Sequence, residues 1–207
     1  MAAVFILGIA FIRVQAQTDI LQTRSNIPLT GSDIQQTGTG IPKGFKKGRV
    51  IMDDSAVVSG YIKDDIRSHA SVCFINGKDG KKQELNGGQI QSLEIDGTRF
   101  ICVKGDFFKV LAEGRICFLQ KSSDASDKPS YNGTDAVYIN GTDGIRGDYF
   151  IYDPRHKSLK LVTRKSYVSV VSETFSGCTA AIEKANAPHT DMNGMKEAVL
   201  VYNNLNR

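Results

Sequence analysis

The chain has 207 residues, 41% apolar and 23% charged, with ten Phe, seven Tyr and no Trp. That suits one domain, or a domain with an appendage, and a sizeable core, and a net charge of +4 is too weak for the strongly basic face of a nucleic-acid binder. Without residues 1–16, Arg13 is lost and the balance becomes 25 basic against 22 acidic residues, or +3.

The stretch 2–12 (AAVFILGIAFI) is an unbroken apolar run. It is too short to span a bilayer as a helix but suits the hydrophobic region of a signal peptide. Val14-Gln15-Ala16 places short residues where a signal peptidase reads, so Gln17 is the expected mature start. The basic residues that usually precede such a run are absent, and a buried strand or core helix is the alternative. No later run reaches the eighteen or so apolar residues of a membrane helix. The expected compartment is the periplasm or the cell exterior, with no integral membrane segment in the mature chain.

Residues 17–47 show no hydrophobic period and read as a flexible lead-in. It ends in a basic patch, Lys43, Lys46, Lys47 and Arg49 around Phe45, read as a solvated tether, with contact to a phosphate or an acidic surface as the alternative. From Gly48 the pattern becomes that of strands: 49–52, 56–63 and 71–75 are short, β-branched and punctuated by Asp, Ser or Gly. A hairpin follows, 92–95 and 98–104 about Asp96-Gly97, a pair that favours a type I′ turn. Gly105-Asp106 is the next reversal, leading into strand 107–112, and Glu113-Gly114 the one after, leading into strand 115–121. Strands joined so tightly pair antiparallel, because parallel pairing needs a long crossover. Residues 122–133 read as a polar surface loop, and 136–140, 148–153 and 158–163 as further strands.

After Thr163 the period lengthens towards 3.6. Tyr167, Val170, Val171, Thr174 and Phe175 share one helical face, with Thr163 as N-cap and Gly177 as stop. A second helical segment is expected over 178–185. A third, capped by Asp191, carries Met192, Met195, Val199 and Tyr202 on one face. The fold class is therefore α+β: an antiparallel β-meander sheet or partly rolled barrel over 48–163, followed by two or three C-terminal helices in 164–207 packed on the sheet.

No catalytic, metal-binding or cofactor-binding constellation emerges. Cys73, Cys102 and Cys117 sit mid-strand in apolar company (VCFI, FICV, RICF), where a free thiol behaves as a small hydrophobe. A disulfide remains open, because exported proteins keep them and sequence does not fix their connectivity. There is no CxxC and no zinc spacing. Cys178 follows Ser176-Gly177 at a helix start, with His189 and Asp191 beyond. A thiol nucleophile and base can be drawn from Cys178 and His189, but catalysis also needs an orienting third group, and a helix-packing Cys is the simpler reading. His69 and His156 stand alone in polar turns. The carboxylates lie scattered through turns, without the spacing of a calcium loop. Asn132-Gly-Thr134 and Asn140-Gly-Thr142 match the glycosylation pattern, but the favoured reading is plain Asn-Gly turns.

The segment KGRVIMDDSAVVSGYI (47–62) resembles the opening of a group of uncharacterised proteins exported by Bacteroidota. The tail is similar too: Phe175-Ser176-Gly177-Cys178, an amphipathic stretch, then Val201-Tyr202-Asn203. Two departures are Gly177 in place of an acidic residue, and the lack of a further Cys after Tyr202-Asn203. The resemblance runs loosely over 47–207 and implies a Gram-negative envelope or exported location, with no activity, cofactor or catalytic residue to transfer. The expected role is a non-enzymatic exported module that contacts an envelope protein, a glycan or a small ligand, with an exported hydrolase using turn carboxylates or Cys178 and His189 as the rival.

Overall fold

The structure, a computed structural model, describes residues 41–206 apart from 78–79, 126–128, 133–134, 139–140 and 188–191. Its first four strands, β1 (Lys46–Met52), β2 (Val57–Asp65), β3 (Ser71–Asn76) and β4 (Lys82–Asn86), form an antiparallel meander, with the short helix α1 (Ile66–His69) between β2 and β3. Then β5 (Ile90–Ile95), β6 (Thr98–Val103), β7 (Asp106–Ala112) and β8 (Cys117–Lys121) form a second meander. Both two-residue loops in it have positive φ throughout, 51° and 75° at Asp96-Gly97 and 50° and 85° at Lys104-Gly105. That is the type I′ signature, whose twist matches the strands it joins. The second reversal is thus Lys104-Gly105 rather than Gly105-Asp106, and Asp106 becomes the first residue of β7.

β11 (Tyr149–Asp153) and β12 (Ser158–Val162) extend the sheet beyond β8, giving the order β12-β11-β8-β7-β6-β5-β1-β2-β3-β4. A separate hairpin pairs β9 (Pro129–Asn132) with β10 (Asp135–Tyr138). The stretch read as a surface loop therefore holds a strand, and Ser123 and Ala125 within it are buried. Strand β4 (KQELN) escaped sequence reading because only Leu85 is buried on it, so no apolar alternation marks an edge strand of this kind.

The two meanders meet where β1 pairs with β5. In sheet order β4 lies four strand spacings from β5, about 19 Å if the sheet were flat. The link from Asn86 to Ile90 reaches at most about 15 Å. The sheet must therefore curl, and it does. Val50, Ile62, Val72, Phe74, Leu85, Leu93, Phe100 and Phe107, from seven strands, fill one interior. A bridge between Gly87 and Gly105 joins the two sides of the roll, although the sheet does not close. A Cβ on Gly87 would overlap the carbonyl oxygen of Gly105.

The other half of the sheet alternates cleanly. On β8, Phe118 faces the helices while Cys117 and Leu119 face away; on β11, Ile151 and Phe150 divide likewise. Three helices cover the first face: α2 (Tyr167–Thr174), α3 (Thr179–Ala185) and α4 (Met192–Leu205). Thr163 accepts the Ser166 N–H at 3.1 Å, as a cap does, but the regular helix starts only at Tyr167. Gly177, at φ 80°, ends the segment as expected. Met195, Ala198 and Val199 on α4 and Val170 and Val171 on α2 are buried against Phe118 and Ile151. The Tyr167 hydroxyl ties α2 to α3 by donating to the Ala185 carbonyl at 2.8 Å. Asp191, the expected cap of α4, lies outside the described residues. No helix among the described residues is long and apolar enough to cross a membrane.

Candidate basic groove and its buried support

Asp106 opens β7 and Lys121 ends β8, and both side chains are fully buried with Nζ and Oδ2 3.2 Å apart. Burying two charges is costly unless every remaining lone pair and proton is satisfied. Here they are. Asp106 Oδ1 accepts from the Ala125 N–H at 2.7 Å and the Ser123 hydroxyl at 3.1 Å. Its Oδ2 accepts from the Thr142 N–H at 2.8 Å and the Thr142 hydroxyl at 2.7 Å. Lys121 donates to the carbonyls of Thr142 at 2.8 Å and Gly144 at 3.0 Å. Donors surround the acid and acceptors surround the amine, the complement of a carboxylate and an ammonium. The pair is a strut between the sheet and the residues either side of the β9–β10 hairpin, and these contacts leave it no free lone pair for acid–base work.

The strut continues along the main chain. The N–H of Gly147 donates to the Lys121 carbonyl at 2.9 Å, and that of Lys121 to the Asp148 carbonyl at 2.8 Å. Gln120 Nε2 donates to the Gly147 carbonyl at 3.2 Å. Residues 142–148 are thereby fixed beside β8. From that loop Arg146 reaches across to α1, where its guanidinium donates to the Arg67 carbonyl at 3.0 Å. Between loop and helix lies an open groove of about 450 Å³, with Phe100 in its lining and Arg67, Lys109 and Arg146 as its exposed cations. Lys109 sits mid-strand on β7, opposite Phe100 and Gln120. Among the described residues none of these three cations has a carboxylate within 4.0 Å. Asp64 is the acid of the groove lining, and its Oδ1 accepts the Ile66 N–H at 3.0 Å.

No family model matches the chain, and no curated protein or solved structure matches it.

The residues singled out by sequence are dispersed. All four cysteines are free thiols, Cys73 and Cys117 buried, Cys102 and Cys178 half-buried. Burial pushes the thiols of Cys73, Cys102 and Cys117 up, and the Asp106 charge adds to the effect at Cys102. They are held as thiols, the less nucleophilic form. Cys178 is the N-terminal boundary residue of α3, whose seven residues follow it, while its drawn partner His189 lies outside the described residues. His69 is exposed at the end of α1. His156 is exposed, with Nδ1 2.7 Å from Asp153 Oδ2. Of the basic patch, Lys46 and Arg49 belong to β1 and pair across the strands with Asp96 and Glu94, at 3.2 Å and 3.1 Å. They are sheet residues rather than a tether. Among the described residues no three His, Cys, Asp or Glu are grouped to hold a metal ion.

Sequence reading passed over the groove altogether. Arg67, Lys109, Lys121 and Arg146 are single cations far apart in the chain, and no local pattern joins them. Asp106 follows a glycine, which reads as a turn; only the strand register turns it inward.

Proposed function

We propose that the chain is an exported, non-enzymatic module that binds a cell-envelope protein, glycan or small ligand through the face carrying the basic groove. The observation that carries this is the convergence of Arg67, Lys109 and Arg146 from three separate elements onto one groove, none of them with a carboxylate within 4.0 Å among the described residues. Binding sites of this kind are concave, largely pre-formed, and use a few placed polar groups to orient the ligand. Export is supported by the apolar run 2–12 and the short residues that follow it. The strut beneath the groove supports a binding role over a hydrolytic one, because its buried acid, Asp106, is engaged on both oxygens.

The test is to titrate the full chain calorimetrically against purified envelope glycans and peptides, and to weigh each ligand by mass spectrometry before and after prolonged incubation. Saturable binding with unchanged ligand mass supports the module. Cleavage of a ligand with gain of water would transfer the protein to the hydrolase reading.

A further inference from the structure

We propose that the groove is an oxyanion site: it takes a phosphate or carboxylate group through Arg67, Lys109 and Arg146, and this rests on the binding reading above. A guanidinium presents its donors as a fork that matches such groups bidentately, whereas an ammonium acts as a point charge. The groove supplies two of the former and one of the latter.

Three features make this a prepared site rather than loose surface charge. First, Arg146 is pinned: its guanidinium donates to the Arg67 main chain at 3.0 Å, which holds two like-charged side chains in one neighbourhood. Like charges held together gain when an anion enters between them. Second, the loop that carries Arg146 is anchored at both ends by the buried Lys121, through the carbonyls of Thr142 and Gly144 and the N–H of Gly147. A ligand therefore does not have to order it, and affinity is not lost to that ordering. Third, Lys109 stands on an inner strand between β6 and β8, so its Cα cannot retreat. Asp64 is the one acid in the lining against these three exposed cations, and the fourth cation there, Lys121, is already paired with Asp106. At about 450 Å³ the space accommodates a sugar-sized carrier of the anionic group.

The test uses the full chain, ¹⁵N-labelled, titrated at constant ionic strength with inorganic phosphate, glucuronate and, as the neutral comparison, glucose. Amide signals of Arg67, Lys109, Arg146 and Gly147 are expected to move saturably with phosphate, glucuronate or both, and not with glucose. Phosphate alone would define a tetrahedral-anion site, and glucuronate alone a carboxylate site. Lys109→Gln removes a charge that makes no hydrogen bond or ion pair among the described residues and is expected to weaken binding about tenfold; Arg164→Gln, an exposed cation elsewhere, leaves it unchanged. Binding should weaken as salt is raised. Equal affinity in the two variants, or signal changes scattered away from the groove, would overturn the site. If an envelope ligand still bound in that case, the module reading would survive and only this site would fall.

Discussion

The side-chain amide of Asn203 closes both main-chain hydrogen bonds of Ile116, accepting its N–H at 3.1 Å and donating to its carbonyl at 2.9 Å. Asn203 lies near the end of α4 and Ile116 just before β8, so a side chain here does the work of a neighbouring strand. Gly114 makes room for it: a Cβ there would lie 2.5 Å from the Asn203 amide carbon. Both hydrogen bonds are buried. Asn203→Leu leaves an N–H and a carbonyl unpaired and should cost about 2–4 kcal/mol. Asn203→Asp should cost at least as much, since an oxygen would face the Ile116 carbonyl. Urea denaturation of the three proteins measures both.

The strut gives a second expectation. Lys121→Met leaves Asp106 charged, buried and without its cation, which should cost about 3–5 kcal/mol. Adding Asp106→Ala should cost less than the sum of the single changes, by about 1–3 kcal/mol, because the two side chains act on each other directly. Amide exchange at residues 142–147 should quicken in Lys121→Met before that in α4 does. Unchanged protection in the loop would mean that Lys121 does not anchor it.

The bridge across the open roll is tested at Gly87. Gly87→Ala sets a methyl against the Gly105 carbonyl oxygen, a main-chain atom that cannot rotate aside. A loss of about 1–3 kcal/mol is expected, read from the thermal midpoint. Gly97→Ala serves as the comparison: open space surrounds that position, and only its positive φ of 75° is strained.

Asp153 offers a pH dependence. Burial pushes its carboxyl up, but the His156 side chain, with the N–H groups of Arg155 and His156, outweighs this and holds it below the ordinary value of 3.8. A depressed value in the folded state means the fold favours the ionised form. The stability it contributes is complete above 3.8 and is lost as pH falls through the lower folded value. The gap between wild type and Asp153→Asn should thus be steady just above that point and shrink towards pH 2 in urea titrations. A gap that widened on acidification would reverse the sign.

The α+β layout was legible because it rests on short-range rules. Asp96-Gly97 allows positive φ at both loop positions, and the alternation in Cys117-Phe118-Leu119 sends Phe118 to the helices and its neighbours to the far face. Val170, Val171, Met195 and Val199 fall where a period near 3.6 puts them. The strands without such alternation, β4 and β9, were not legible. Nor was the burial of Ser123, whose polar side chain is inside only because Asp106 and the Phe107 N–H are there to meet it, at 3.1 Å and 2.8 Å.

What the amino-acid order determined by itself was local: which segments extend, which coil, and where the chain reverses. The pairing of β1 with β5, the curl that follows from a link too short for a flat sheet, and the meeting of Arg67, Lys109 and Arg146 were decided by tertiary structure alone. The reason is physical. A hydrophobic period or a turn propensity acts over a few residues, whereas a charged groove depends on the relative placement of residues 79 apart, such as Arg146 and Arg67, which no period records.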